Sequence, residues 1–258
     1  MRWLIILLVM LMPLQAQAKK LTVQPEDVDS ITVLASTSLS VPISELCKLY
    51  SLKTARDVNA VFDSAGENIT NIEDGDPADI VIIPSHKFFA ELEHKGLVES
   101  STKIVLAKNK LAIVAAKPFV LPRSSNAKEA LDNIYNKTLM VIADEETEAL
   151  GEYTVQALVK LGVWEKFQPR VVIAPNSAST VDLIIKGQSA GIIFASDAKL
   201  YAKDLNTIAV IPDTMHKPIE YIASVVVGND MAQAKDFLKF LASKEAADIF
   251  RKHGFVIQ

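Results

Sequence analysis

Hydroxyl side chains cluster near the start of the chain, where an apolar run gives way to a helical pattern. Ser36, Thr37, Ser38 and Ser40 follow "ITVLA", and the next residues, "VPISELCKLYSLKTA", are typical of a helix. Hydroxyls at this position either cap the helix and shape the turn, or donate hydrogen bonds to an anion at the helix N-terminus. The sequence leaves both interpretations open.

Two later loops offer further hydroxyls without clustered basic residues. Ser64 lies in "DSAGEN", and Ser177, Ser179 and Thr180 lie in "PNSAST", ahead of the helical pattern "TVDLIIKG" that they are expected to cap. In open α/β sheets, ligands bind beyond the carboxyl ends of the strands, where such loops meet. The loops therefore predict a cleft of uncharged donors, suited to a ligand held by neutral hydrogen bonds.

Acidic residues near the same loops are compatible with a second class of ligand. Asp63 and Glu67 flank Ser64, and the run "DEETE" occupies residues 144–148. A carboxylate that faced the cleft would repel an oxyanion and favour a cation or an amine. Acidic residues are also common at helix N-termini, where they interact favourably with the helix dipole.

The sequence offers little for catalysis or for a metal centre. Its four histidines are far apart, and it contains no H-x-x-x-H, C-x-x-C, G-x-G-x-x-G or G-x-S-x-G motif. Cys47 follows Leu46 in a helical run and is expected to be a buried structural thiol. We therefore expect no enzymatic activity, no cofactor and no bound metal. An enzyme with Cys47 or His86 in a catalytic role is the alternative.

Residues 1–18 have the pattern of a secretory signal peptide. Arg2 precedes the apolar run "WLIILLVMLMPL", and "QAQA" places Ala16 and Ala18 in a cleavage pattern. The apolar run is too short to span a bilayer, so we expect a protein exported to the periplasm, and a monomer. Loss of Arg2 changes the net charge from −4 to −5, which gives no electrostatic reason to bind nucleic acid.

From residue 31 onward, short apolar runs alternate with helical patterns. Runs such as "ITVLAS", "ADIVIIPS", "TLMVIAD" and "AGIIFAS" are near-continuous in Val, Ile, Leu and Ala, as strands covered on both faces require. The chain closes with helical "AQAKDFLKFLASKEAADIFRKHG". This alternation predicts an α/β protein with parallel sheets, long enough for two lobes of ordinary size.

Several motifs resemble one family. "ITVLASTSL", "FDSAGENITNIEDGDPADIVI", "EALGEYTVQALVKLGVW", "AGIIFASDA" and "AADIFRKHGF" resemble the periplasmic molybdate-binding proteins of ABC transporters, in that family's order and at close to its spacing. The resemblance covers residues 31–257 and implies the type II solute-binding fold. That fold has two α/β lobes with mixed, mostly parallel sheets, joined by hinge strands that fall on "KLAIVAAK" and "IEYIASVVVG". Lobe one would contain residues 31–110 and 221–258, and lobe two residues 111–220.

The same resemblance implies a function and a site. A protein of this family captures a small oxyanion between its lobes and delivers it to an ABC permease in the inner membrane. The oxyanion is held by serine hydroxyls, backbone N–H groups and a tyrosine hydroxyl. The ligand-binding positions that the resemblance implies are Ser38, Ser64, Ala65, Leu150, Ser177 and Phe194.

Two of these positions depart from the family pattern. Ala65 stands where the family has serine, and Phe194 stands where it has tyrosine. A hydrogen bond to a charged group contributes roughly 1.5–3 kcal/mol, so the two losses would remove roughly 3–6 kcal/mol of binding free energy unless Ser64 or Ser177 compensates. A small organic acid, an amine or a metal chelate, bound by the same fold, is therefore the alternative ligand.

Overall fold

The computed structural model describes residues 30–228 and 231–257, with only the backbone of Met231. The expected signal peptide at residues 1–18 lies outside the described residues. Within the described part, no helix is long and apolar enough to cross a membrane.

Ten strands form two sheets in the described part of the chain. In chain order they are β1 (Ile31–Ser36), β2 (Val58–Asp63), β3 (Ile80–Ile83), β4 (Ile104–Asn109), β5 (Leu111–Ala116), β6 (Met140–Ala143), β7 (Val171–Ala174), β8 (Ala190–Phe194), β9 (Leu205–Val210) and β10 (Ile219–Val225). The first sheet has the strand order β2-β1-β3-β10-β4, and the second has the order β7-β6-β8-β5-β9.

Helices follow most of the strands. They are α1 (Ser40–Thr54), α2 (Ala65–Glu73), α3 (His86–His94), α4 (Ala127–Tyr135), α5 (Ala149–Lys160), α6 (Trp164–Phe167), α7 (Ser177–Lys186), α8 (Ala195–Leu200), α9 (Met231–Leu241) and α10 (Lys244–Lys252). The predicted single closing helix is two helices, because Ser243 ends one run and caps the next by accepting a hydrogen bond from Ala246 N.

Both sheets are mixed, as the fold prediction requires. In the first sheet β1, β2 and β3 are parallel, and β10 runs antiparallel to β3 and β4. In the second sheet β6, β7 and β8 are parallel, and β5 runs antiparallel to β8 and β9. The two sheets thus repeat one arrangement, with three parallel strands followed by an antiparallel pair.

The burial of the strands explains their composition. Every residue of β3, β5, β6 and β8 is buried, which is why these strands are continuous apolar runs. Strand β4 is not predicted by the sequence pattern, because it lies at the edge of the first sheet and ends in Lys108 and Asn109.

The chain changes sheet twice. It passes from the first sheet to the second at Lys110, between β4 and β5, and returns between β9 and β10. The two predicted hinge strands correspond to β5 and β10, each of which starts where the chain changes sheet. The loops that follow the parallel strands lead directly into α1, α2, α5, α7 and α8, which carry the predicted site.

Candidate ligand-binding site

The hydroxyl cluster after β1 does not cap the helix. Residues Thr37–Leu39 form one 3-10 turn before α1, and neither that turn nor α1 has a side-chain cap. Instead, Ser38 Oγ lies 3.0 Å from the hydroxyl of Tyr221 and 3.1 Å from Ser36 Oγ. Ser38 is only 6% exposed. Its hydroxyl therefore belongs to a buried polar network, and the capping interpretation is wrong for this residue.

Tyr221 connects this network to the second sheet. Asn109 Nδ2 donates to the Tyr221 hydroxyl (3.1 Å) and to Ser196 Oγ (2.8 Å), and Asn109 Oδ1 accepts from Ser196 N (3.3 Å). Burial raises the pKa of Tyr221, so its hydroxyl stays neutral. The network consists of uncharged groups and joins β10 and β4 to the first turn of α8.

The Tyr221 hydroxyl was not anticipated from the sequence. Phe194, the position where the family has tyrosine, is fully buried, and its ring centroid lies 6.1 Å from that of Tyr221. A fully buried tyrosine needs a hydrogen-bond partner for its hydroxyl, and "IEYIASV" is a strand pattern with Tyr221 at its third residue. That was the available signal, although it does not identify Ser38 as the partner.

Leu150 and Ser177 converge on one carboxyl group. Glu148 caps α5, and its Oε1 accepts hydrogen bonds from Leu150 N (3.4 Å) and Ser177 Oγ (3.2 Å). Glu148, Leu150 and Ser177 are all 0% exposed. Glu148 Oε2 is also buried and has no hydrogen-bond partner among the described residues. Two predicted ligand donors therefore already bind an acidic oxygen.

A second buried acid lies in the same region. Asp197, in the first turn of α8, is 5% exposed, and its Oδ2 has no hydrogen-bond partner within the described part. It lines a small pocket together with Ser38 and Ser196. Burial raises the pKa of Asp197 to about 8, and the nearby Glu148 carboxylate adds to that effect. Asp197 was not among the site residues predicted from the sequence.

Burial is also the main influence on Glu148. It raises the pKa of Glu148 to about 7, and the hydrogen bonds from Leu150 and Ser177 oppose this rise because they favour the carboxylate. The negative charge of Asp63 raises the pKa further. Both buried acids thus change charge near neutral pH, whereas the neighbouring network around Tyr221 does not.

Backbone contacts bring the loops of the two sheets together. Gly66 N, in α2, donates to Thr147 O (2.9 Å), and Ala178 N, in α7, donates to Thr37 Oγ1 (3.2 Å). Gly66 has little free space, because a Cβ at this position would lie 3.3 Å from Thr147. Across the gap between the sheets, the turn that carries Ser38 thus contacts the start of α7, and the start of α2 contacts the loop before α5.

Ser64 and Ala65 lie at a different part of that gap. Ser64 Oγ caps α2 by accepting from Glu67 N (3.1 Å), and Ala65 is fully buried at the start of the helix. Ser64 lines an outer pocket whose acidic side chains include Asp63, Glu67 and Glu146. The structure thus places Ser64 with acidic residues, and not in the small pocket that contains Ser38.

The helix α7 is capped by a residue that the sequence analysis did not choose. Asn176 Oδ1 accepts from Ser179 N (2.9 Å), and the helix starts at Ser177. The expectation that Ser177, Ser179 and Thr180 cap this helix is therefore wrong. Since Asn176 performs that role, the Ser177 hydroxyl is available to donate to Glu148.

The residues proposed for an enzyme are poorly placed for catalysis. Burial raises the pKa of Cys47 to about 12, so this buried thiol carries no thiolate at neutral pH. His86 is exposed, with its Nε2 2.8 Å from Glu220 Oε2. Across residues 30–228 and 231–257, no three His, Cys, Asp or Glu side chains lie close enough to hold a metal ion.

Comparison with known proteins identifies the family. Residues 31–256 match the family of bacterial extracellular solute-binding proteins. The molybdate-binding protein ModA of Haemophilus influenzae is 30% identical over 87% of this chain and 89% of that protein. ModA of Escherichia coli is 30% identical over 90% of this chain and 91% of that protein.

A solved structure agrees with the fold. The periplasmic molybdate-binding protein of Azotobacter vinelandii superposes with a TM-score of 0.78, covering 88% of this chain and 99% of that one at 19% identity. The α/β, two-lobe type II fold and the absence of an enzymatic role in this family are confirmed. This chain belongs to the bacterial extracellular solute-binding proteins, and its relatives include the molybdate-binding proteins ModA of Haemophilus influenzae and Escherichia coli.

Proposed function

We propose that this protein binds a small oxyanion, similar to molybdate or tungstate, between its two lobes and delivers it to an ABC permease in the inner membrane. The lobes are residues 31–110 with 221–258, and residues 111–220. One observation carries the proposal: Leu150 N and Ser177 Oγ both donate to a single buried acidic oxygen. Donors that converge on a carboxylate are arranged for an oxyanion of comparable size.

The chemistry of the site supports binding through neutral hydrogen bonds. Leu150 N lies at the N-terminus of α5, where the helix dipole favours a negative charge. Ser38, on the opposing loop, adds a hydroxyl whose orientation the Tyr221 hydroxyl and Ser36 fix. Tyr221 thereby compensates for the hydroxyl absent at Phe194. Both ModA relatives are named for binding molybdate, which is consistent with this ligand class.

Binding and closure are coupled in this proposal. The loops that carry Ser38 and Leu150 come from different sheets, so a ligand that contacts both stabilises the arrangement in which the loops meet. The contact between Gly66 and Thr147 adds to that arrangement. A permease that recognises the closed lobes would then receive loaded protein.

Isothermal titration calorimetry tests the ligand directly. The protein is titrated with molybdate, tungstate, sulfate and phosphate, and we expect at least one to bind with a fitted stoichiometry of one. Ser38→Ala should weaken that binding about 10- to 100-fold, since a hydrogen bond to a charged ligand is lost. Ser40→Ala, two residues further at the first position of α1, is the matched control and should leave the affinity unchanged. Absence of heat with all four anions would refute the oxyanion proposal.

The buried acids favour a second candidate function. A cationic amine would be attracted by ionised Glu148 and Asp197, whereas a dianion would be repelled. This alternative predicts that a thermal-shift screen of small metabolites yields amines and no oxyanions. It also predicts that Asp197→Asn abolishes the stabilisation. Stabilisation of the protein by an oxyanion in the same screen would exclude it.

Export to the periplasm follows from the proposed role. Residues 1–18 would be removed as a signal peptide, giving a mature protein that starts at Lys19, acts as a monomer and does not bind nucleic acid. N-terminal sequencing of protein recovered from the periplasm tests the cleavage site. A mature protein that still begins at Met1 would contradict it.

A further inference from the structure

We propose that Glu148 is an internal competitor for the oxyanion, because its carboxylate occupies the donors Leu150 N and Ser177 Oγ that the ligand needs. The inference rests on the proposed function and identifies the residue that sets its affinity. An oxyanion binds either after Glu148 is protonated or after its side chain is displaced.

The geometry around Glu148 carries this inference. Both donors bind the same oxygen, Oε1, at 3.4 Å from Leu150 N and 3.2 Å from Ser177 Oγ. The other oxygen, Oε2, is buried without a hydrogen-bond partner among the described residues. One carboxylate oxygen of Glu148 thus accepts two hydrogen bonds, and the other accepts none among the described residues. The buried carboxylate is therefore only partly stabilised in its place on the two donors. A tetrahedral oxyanion has more acceptor oxygens and can use the same donors together with Ser38.

The charges that face Glu148 make its ionised form incompatible with a nearby anion. Asp63, at the end of β2, raises its pKa, and Asp197, in α8, is coupled to it electrostatically. The hydroxyl of Tyr221, from β10, also interacts with both acids. The neighbouring groups on these elements are therefore acidic or neutral. An ionised Glu148 would thus place a buried negative charge among acidic and neutral groups, before any ligand enters.

Proton binding at Glu148 is consequently linked to oxyanion binding. When Glu148 is protonated, its carbonyl oxygen accepts more weakly than a carboxylate oxygen, and its O–H becomes a donor to the ligand. When it is ionised, it competes for the donors and repels the anion. Coupling to one proton weakens the ligand affinity by at most about tenfold for each pH unit above the pKa of the free protein. Burial places that pKa at about 7, within the range where the protein can be studied.

The test is calorimetry with molybdate at pH 6.5, 7.5 and 8.5, a range in which molybdate remains a dianion. We expect the affinity of the unmodified protein to fall at least tenfold between pH 6.5 and 8.5. Glu148→Gln and Glu148→Val should show a weaker pH dependence than the unmodified protein, the remainder coming from Asp197, and should bind at least tenfold more tightly than the unmodified protein at pH 8.5. Glu146→Gln, an exposed acid on the same loop, is the matched control and should behave like the unmodified protein. Thermal melts confirm that each variant is folded.

The outcomes separate this inference from the proposed function. Equal and pH-independent affinity in the unmodified protein and both Glu148 variants would overturn the inference and leave oxyanion binding intact. Loss of binding in folded Glu148→Gln would also overturn it, because Glu148 would then help to hold the ligand. If neither the unmodified protein nor the variants bind any of the four oxyanions at any pH, the proposed function itself fails, and this inference fails with it.

Discussion

The turn after β1 and the loop before α5 both contact the start of α7, yet they present opposite chemistry. In the turn, the Ser38 hydroxyl is paired with the Tyr221 hydroxyl and Ser36, all of them neutral. At the end of the loop, the Glu148 carboxyl group accepts hydrogen bonds from Leu150 N of α5 and Ser177 Oγ of α7. The first set of donors is available to an anion at any ordinary pH. The second set is available only when an acid is protonated or moves away, so the loop decides the affinity.

The largest expected effect comes from a substitution that displaces the loop before α5. A Cβ at Gly151 would lie 2.2 Å from Asp144 O and 2.6 Å from Ala143 O, which are backbone atoms that cannot move without shifting the loop. Gly151→Ala should therefore lower the free energy of unfolding by about 3 kcal/mol and abolish oxyanion binding. Urea denaturation monitored by circular dichroism measures the first effect.

Gly75→Ala is the control for that variant. A Cβ at Gly75 meets no atom within 4 Å, but the residue has a φ of +83°. Its substitution should cost only about 1 kcal/mol and leave binding unchanged. Equal destabilisation by the two variants would show that the close approach at Gly151 has no special effect.

The next prediction uses pH to distinguish the loop that carries Glu148 from the neutral network around Ser38. Glu148 and Asp197 have ordinary pKa values of 4.5 and 3.8, which burial raises to about 7 and about 8 in the folded protein. Between those limits the folded protein keeps protons that the unfolded chain releases. Stability without ligand should therefore fall as pH rises from about 4 to 8, by an amount on the order of a few kcal/mol, and then level off.

Thermal unfolding across this pH range, with the variants Glu148→Gln and Asp197→Asn, checks the pH prediction. Each variant should reduce the dependence of stability on pH in the range where the substituted acid loses its proton. Ser38→Ala should leave the shape of the curve unchanged, because its network contains no group that titrates near neutral pH. A profile that rises from pH 5 to 8 in the unmodified protein would contradict the burial of these acids.

A smaller effect tests the neutral hydrogen-bond network around Ser38 and Tyr221. Tyr221→Phe removes the hydroxyl that contacts both Ser38 Oγ and Asn109 Nδ2, leaving a buried amide with one partner fewer. We expect a loss of about 1–2 kcal/mol in the free energy of unfolding and about tenfold in oxyanion affinity. Tyr50→Phe, in α1 and packed against Phe237, is the control outside this network. If both variants bind equally well, Tyr221 does not orient Ser38.

The smallest expected effect concerns Ser64. Ser64→Ala removes the cap of α2 and should lower the free energy of unfolding by about 1 kcal/mol. The change in oxyanion affinity should be less than tenfold, because Ser64 lines the outer acidic pocket. Calorimetry in parallel with Ser38→Ala makes the comparison. A larger loss of affinity for Ser64→Ala than for Ser38→Ala would reverse the roles of the two serines.

Much of the fold follows from local sequence patterns. The alternation of buried apolar runs with helical segments predicted the α/β class, because strands such as β3 and β8 are covered on both faces. The edge strand β4 was not predicted, because a strand at an exposed edge does not require an apolar run. The break between α9 and α10 was not predicted, because the helical pattern continues across Ser243 and no glycine or proline marks the break.

The site was harder to predict, because its decisive contacts are distant in sequence. Ser38 and Tyr221 are 183 residues apart, and no local pattern connects them. Glu148 ends the acidic run 144–148, in which Glu145 and Glu146 are exposed, so its composition resembles a solvated surface. Only the packing of the loop against α7 turns this one side chain inward. Asp197 is hidden for the same reason, within a short helix that resembles an ordinary capped turn.

Anomalous diffraction from crystals grown with tungstate tests the central claim most directly. The account predicts one strong tungsten peak in the gap between the sheets, with ligand oxygens at hydrogen-bond distance, about 2.7–3.2 Å, from Leu150 N, Ser177 Oγ and Ser38 Oγ. The Glu148 side chain should be turned away from Leu150 or protonated beside the ligand. Full tungstate occupancy at a surface site, with Glu148 still bound to both donors, would contradict the account.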